Sequence, residues 1–330
     1  MSAVDGFAPA ANLSGAVPFP RLNDWRGDGA LFAYQNLLSR RLDDPEDLGI
    51  VDRIAGLGIT EWQTTLLEPA VFSFLAHQPR RWSWAELQHS MDHGLDPVDA
   101  GGIAVASAPG PLFEELLRGL GKGSRSASCE TAAFLPCDSA EFRWARNSIA
   151  QAMGVIGRCA PGYAADLRSV VSCVALVDDR ASFRGSSGAI HRGMVFLSPD
   201  ETWTPGVFAE ELVHEATHNV LDLVSLRQPL VSGTDAFEEK YAAPFRPDKR
   251  HVYGNLHALV VVARLLCLFE TFRGTETWDE QDWESRSLDY ATRSLEPLET
   301  VAAHPGLSPL SRHLVETFVR PILLAAVAHT

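Results

Sequence analysis

A mainly α fold with a small β-sheet is what this sequence predicts, and three observations carry the prediction. Apolar residues recur at helical spacing through most of the chain, as in LFAYQNLLSRRL, IVDRIAGLG and NLHALVVVARLLCLFE. Two short apolar runs rich in β-branched residues, SVVSCVALVDD and GMVFLSP, are the best strand candidates. The composition, 46% hydrophobic and 21% charged over 330 residues, is that of an ordinary globular protein. It excludes a disordered chain, a collagen-like fibre and a coiled coil, and the length suffices for one large domain or two.

Residues 1–20 are rich in Ala, Gly and Pro and read as a flexible lead-in. A helical N-terminal region is expected over 21–168. It takes in the patterns from Asp28 to His93, a small-residue connection at Gly101–Gly110, a helix in PLFEELLRGLG and helical spacing again from 139. The texture changes at Ser169. The region 169–330 opens with the first strand candidate and crosses the turn-rich DRASFRGSSGAIHRG to the second. After Thr204 it reads as helical again. The two regions form either one continuous domain or two.

Charge and cysteine usage narrow the function classes. Against 28 Lys and Arg stand 42 Asp and Glu, a net charge of −14. Such a chain repels phosphate backbones and anionic lipid surfaces, so neither nucleic acid nor membrane is an expected partner. Cys129, Cys137, Cys159, Cys173 and Cys267 are scattered, odd in number and without a Cys-x-x-Cys pair. They read as reduced, mostly buried thiols of a cytoplasmic protein. The N-terminus has no basic segment before an apolar run, so no secretory signal is expected. The apolar stretch Leu256 to Phe269 is shorter than a membrane span and is interrupted by Arg264.

One motif carries chemistry. TWTPGVFAEELVHEATHNVLDLVSL contains His214-Glu215-Ala216-Thr217-His218, the HExxH pattern. On a helix, positions four apart share a face, so both imidazoles can reach one metal ion, with Glu215 beside them. Thr204 is a good N-cap, Pro205 suits the first helical position, and Pro229 limits the far end. At about 100° per residue, Phe208, Ala209, Leu212, Val213, Ala216, Val220, Leu223 and Val224 fill one half of this helix. Glu210, Glu211, His214, Glu215, His218 and Asp222 gather on the other half, with Leu221 the one large apolar intruder. A solvated face usually mixes signs, yet this one holds no Lys or Arg; two imidazoles among carboxylates suit a divalent cation better. Asp222, one turn beyond His218, could orient that ring. His89 and His93 repeat the spacing, but their helix is poorly defined and His93 fits the negative end of a helix dipole.

An open metal site needs a third protein ligand. Leu221 and Val224 stand where HExxHxxGxxH would place glycine and histidine, which excludes that class. Glu238, Glu239 and Glu270 are available carboxylates, and Gly233-Thr234-Asp235 is half of a GTxD pattern. The better candidate is His257, expected to open the most apolar helix of the chain. Arg264 lies seven residues on, on the same face. A helix apolar nearly all round is buried, and a buried Arg requires an anionic partner. A core histidine bonded to a carbonyl and an ion pair from Arg264 to Asp222 are the plainer alternatives.

LVHEATHNVLDLVSL, followed by YAAPFRPDKRHVYGNLHALVVVAR, resembles the HExxH-motif peptide-modification proteins of bacterial ribosomal-peptide gene clusters. The similarity covers about residues 185–270 and rests on the HExxH helix, on Leu221 to Val224, on Tyr241 to Arg246, and on Leu256-His257. GMVFLSP before the motif helix also fits. Departures are the extra alanine in Ala242-Ala243 and Phe245 in place of Trp. The resemblance implies a 2-oxoglutarate (α-ketoglutarate)-dependent β-hydroxylase of peptide side chains. It implies Fe(II) held by His214, His218 and His257 between two helices of the C-terminal half, with the keto acid and O2 taking the open positions. The substrate it implies is a ribosomally made precursor peptide, with Asp the expected target. The distal carboxylate of the keto acid then needs a cation, for which Arg246 and Arg264 are the candidates, with Arg250 a weaker option.

The competing reading is a zinc metallopeptidase. Glu215 would be its general base, and an edge strand at Gly193 to Ser198 would hold the substrate. HExxH alone favours a peptidase. The missing downstream histidine, the long step to His257 and the buried Arg264 favour the hydroxylase. An intact ligand set argues against a binding module with a decayed site.

Overall fold

The computed structural model describes residues 97–106, 133–178, 184–187, 193–227, 229–233, 235–238, 240–245, 247–273, 275 and 280–328. The lead-in, the helices expected before residue 97, the helix expected at PLFEELLRGLG, His89, His93, Cys129, Thr234, Glu239 and Arg246 lie outside these residues. Within them the protein is mainly helical with a small mixed sheet, as the sequence predicts.

In chain order the elements are β1 (Pro97–Asp99), β2 (Ala104–Ala106), β3 (Ala133–Phe134), α1 (Ala140–Cys159), α2 (Pro161–Val170) and β4 (Cys173–Asp178). Then come β5 (Gly185–Ser186), β6 (Met194–Leu197), α3 (Pro205–Arg227), α4 (Asp235–Glu238), α5 (Val252–Phe272) and α6 (Glu280–Ala303). The chain closes with α7 (Pro309–Leu314), a π-helical turn at Val315–Val319 and α8 (Arg320–Ala328). Two compact, interleaved units are formed. One holds residues 155–164 and the described residues from Arg227 onward; the other holds 165–226 and the described residues up to Gly154.

The sheet belongs to the second unit. Its order is β1-β2-β4-β6-β5, with β3 pairing β4 off this path. β2, β4 and β6 run parallel, while β1, β3 and β5 join antiparallel. Parallel strands covered on both faces read as continuous apolar runs, and CVALVD and MVFL are buried along almost their whole length. Both were legible as strands, though the first begins at Cys173, because α2 continues through Ser169 to Val170. The expected loop at Gly101–Gly110 is corrected: it contains β2. Gly101 and Gly102, with φ of 69° and 92°, turn the chain from β1 into it. Its residues Ala104, Val105 and Ala106 carry too little bulk to look like a strand, yet pair in register with Cys173 to Ala175.

The proposed edge strand also needs correction. β6 lies inside the sheet, between β4 and β5, and all four of its residues are buried. The strand that ends the sheet on that side is β5, in the middle of the turn-rich segment.

In the first unit, α5 packs against α4, α6, α8 and the π-helical turn. It is longer than its apolar stretch suggests, 21 residues, enough by length and composition to cross a membrane, but it is the buried core helix of its unit. Burial pushes the thiol of Cys267, in its middle, up to about 12. Cys173 is buried too, Cys159 is half-buried and Cys137 is exposed, and all four of these described cysteines are reduced thiols.

Candidate metal centre

Helix α3 starts where the sequence places its start. The hydroxyl of Thr204 accepts from the Val207 N–H at 3.5 Å, and Pro205 is the first helical residue. Phe208 anchors the first turns edge-on to Trp203 at 5.1 Å and to Trp144 of α1 at 5.6 Å. Farther along, Asn219 Oδ1 accepts from the Gly193 N–H at 3.2 Å and ties the helix to the approach to β6. Gly193 has φ of 79°, and a side chain there would strike the Ser172 hydroxyl.

The motif histidines meet as their spacing requires. The rings of His214 and His218 lie 5.1 Å apart, tilted by 55°, and both are half-buried. Their surroundings differ from an amphipathic helix with a solvated face. Glu210, Glu211, Glu215 and Asp222 are all buried, as are Thr217 and Asn219. The polar half is therefore an interior surface on which the two imidazoles keep access to solvent.

Buried carboxylates need compensation, and for Glu211 and Glu215 a turn-rich segment supplies it. Arg184 bonds Glu211 at 3.2 Å while its guanidinium lies over the Trp203 ring, 5.2 Å from the centroid. The Ser187 hydroxyl donates to Glu215 Oε2 at 2.5 Å and approaches the Glu215 carbonyl oxygen at 3.1 Å. The other carboxylate oxygen, Oε1, stands 4.0 Å from His214 Nε2. Gly185 passes so close that a Cβ there would sit 2.8 Å from Glu215 Oε1 and 3.1 Å from Glu211 Oε2. Short, glycine- and serine-rich stretches have no periodicity to read, so the one available signal was the glycine itself.

His257, Arg264 and the remaining candidates belong to the other unit. Helix α5 begins at Val252, so His257 is its sixth residue and does not open it. The cap is His251, whose Nδ1 accepts from the Gly254 N–H at 3.0 Å. Burial and the charge of Arg250 hold the His251 pKa below its ordinary value. His257 is 5% exposed and packs on the Tyr253 ring at 4.4 Å. Arg264 is 2% exposed, with its guanidinium over the Tyr163 ring at 4.8 Å. Tyr241 and Arg250 exchange two backbone hydrogen bonds of 2.7 Å, closing a loop between them. Asn255 Nδ2 donates to the Ala242 carbonyl at 2.8 Å and pins that loop to α5, while Phe245 packs edge-on to Tyr290 of α6 at 5.2 Å. Of the carboxylate alternatives, Glu238 is exposed and Glu270 pairs with Arg273 at 3.3 Å.

The structure thus brings together His214, His218 and Glu215. Among the described residues, no group of three or more His, Cys, Asp and Glu side chains stands ready to hold a metal ion. The donors that are present fit part of a site for a transition-metal ion: two adjacent imidazoles open to solvent, with acids buried beside them. No family model matches the chain, and no curated protein matches it.

Proposed function

We propose that the protein is an Fe(II)- and 2-oxoglutarate-dependent hydroxylase that adds a β-hydroxyl to a side chain, Asp in the first instance, of a precursor peptide. His214, His218 and His257 would hold the metal, as the resemblance implies. A metal-binding helix suits both this reading and a peptidase. The observation that favours the hydroxylase is Arg264, a guanidinium buried on the same helix as His257 and two turns from it. Seven residues beyond His257 and so on the same face of α5, a planar guanidinium suits the distal carboxylate of a dicarboxylic co-substrate, for which a zinc peptidase has no use. Arg246 remains the other candidate for that carboxylate.

Bound iron with the keto acid and O2 supplies the oxidising chemistry: the peptide gains a C–OH from a C–H while the keto acid becomes succinate and CO2. The residues of this chain contribute positions. Half-buried His214 and His218 offer imidazole nitrogens from adjacent turns of one rigid helix. Glu215, held by Ser187, keeps one carboxylate oxygen beside His214, where it can accept a hydrogen bond from a water or from the peptide.

The zinc peptidase retains one specific observation in its favour. β5 ends the sheet and runs beside Glu215, as a strand that seats an extended substrate would. One experiment separates the readings. Purified protein loaded anaerobically with Fe(II) should convert 2-oxoglutarate to succinate on admitting O2, and Zn(II) should block this. Peptide cleavage by the zinc form, without succinate from the iron form, would establish the peptidase instead.

A further inference from the structure

The segment 184–187 runs along α3 and engages two carboxylates one helical turn apart. Arg184 takes Glu211, and Ser187 takes Glu215. Between them the backbone of Gly185 lies against both carboxylates, with no room for a methyl group. The segment itself is fixed to the sheet: Gly185 and Ser186 pair with Leu197 and Phe196, and the Ser198 N–H donates to the Arg184 carbonyl at 2.8 Å. Glu215 is therefore held from outside its own helix by a strand whose register the sheet sets.

We propose that Ser187 and Gly185 are positioning residues for Glu215. The Ser187 hydroxyl occupies Oε2, and the bare Cα of Gly185 leaves space for Oε1, so that Oε1 is presented beside His214 in one orientation. A free glutamate side chain has three rotatable bonds, and its carboxylate would otherwise sample many directions from the helix. Packing alone does not explain the arrangement. An alanine at 187 would fill the same backbone position, and only the hydroxyl reaches the carboxylate. The inference deepens the proposed function and rests on its reading of α3 as a metal-binding helix.

The test uses the full-length protein with glutamate labelled at the carboxyl carbon, and with Co(II) as the probe metal. In the metal-free protein, the Glu215 carboxylate 13C signal is assigned from its loss in Glu215→Gln. It should move in Ser187→Ala and in Gly185→Ala, and return to the wild-type position in Ser187→Thr. A role in packing alone would not be rescued by restoring a hydroxyl. In the Co(II) form, the visible absorption bands of Ser187→Ala should shift toward those of Glu215→Gln. The double variant should match Glu215→Gln alone, because the serine acts through the glutamate.

A Glu215 signal unmoved by Ser187→Ala, or not restored by Ser187→Thr, overturns the proposal. So do Co(II) bands that respond to Glu215→Gln and not to Ser187→Ala. Should Gly185→Ala fail to fold, the serine series decides alone. If the wild-type protein binds no Co(II), or if His214→Ala and His218→Ala bind it unchanged, the metal reading fails, and the carboxylate signals still decide whether Ser187 holds Glu215.

Discussion

Tyr163 holds Arg264 twice: its hydroxyl donates to the Arg264 carbonyl at 2.8 Å, and its ring lies under the Arg264 guanidinium at 4.8 Å. The two contacts separate by substitution. Tyr163→Phe removes the hydrogen bond and keeps the ring, and should cost about 1 kcal/mol. Tyr163→Leu also removes the cation–π contact and leaves a cavity at a fully buried site, and should cost roughly 2 kcal/mol more. Urea unfolding with unchanged m-values measures both. Equal losses in the two variants would mean that the ring contributes little.

The same arginine gives a functional prediction. Lysine keeps the charge of Arg264 but loses the planar fork that meets a carboxylate with two bonds. If Arg264 binds the keto acid, Arg264→Lys should raise the KM for 2-oxoglutarate by about tenfold or more, the scale of one lost charge-assisted bond. Fe(II) binding should stay intact. Should Arg246→Lys show this pattern and Arg264→Lys not, the carboxylate receptor is Arg246, and Arg264 serves the core of its unit.

Legibility followed periodicity. The motif helix, its cap at Thr204, the meeting of His214 with His218, the burial of Arg264 and the strands at Cys173 and Met194 all follow patterns several residues long, and all were readable. β2 and β5 were not, because strands of two or three small residues have too short a period to register. The burial of Glu210, Glu211, Glu215 and Asp222 was half legible: a face without Lys or Arg argued against a solvated surface, but the partners of Glu211 and Glu215, Arg184 and Ser187, arrive from a segment without pattern. His251 escaped notice because imidazole is an uncommon cap, and the helix therefore starts earlier than its apolar face suggests.

That cap makes the start of α5 sensitive to acid. His251 accepts the Gly254 N–H at Nδ1, so it must be unprotonated there. Burial lowers its pKa first, then the charge of Arg250 and, more weakly, that of Lys240. The unfolded chain, with a pKa near 6.5, takes up the proton first as pH falls. The contribution of the cap is thus complete above that value. It declines as pH drops from there through the lower folded pKa, and then levels off. His251→Asn, which caps without titrating, should remove this part of the loss. Urea midpoints at pH 7.5 and pH 5.5 make the comparison; an equal decline in both proteins would exclude His251 as its source.

Glu215→Gln separates ligand, base and orienting group. Glutamine keeps an oxygen able to accept from the Ser187 hydroxyl, so stability should change by no more than about 1 kcal/mol. On a helix Glu215 points about 100° away from His214, so it is not expected among the metal ligands, and metal stoichiometry should be unchanged. A peptidase lacking its general base would lose hydrolysis. A hydroxylase needs no protein base to remove hydrogen from the substrate carbon, so 2-oxoglutarate consumption without peptide should persist. Hydroxylation should fall more steeply, because the neutral amide no longer offers a charged acceptor in the direction that Ser187 and Gly185 set. Measuring bound iron, succinate and hydroxylated peptide in one variant distinguishes these cases, and loss of the metal itself would place Glu215 among the ligands and overturn the proposed coordination.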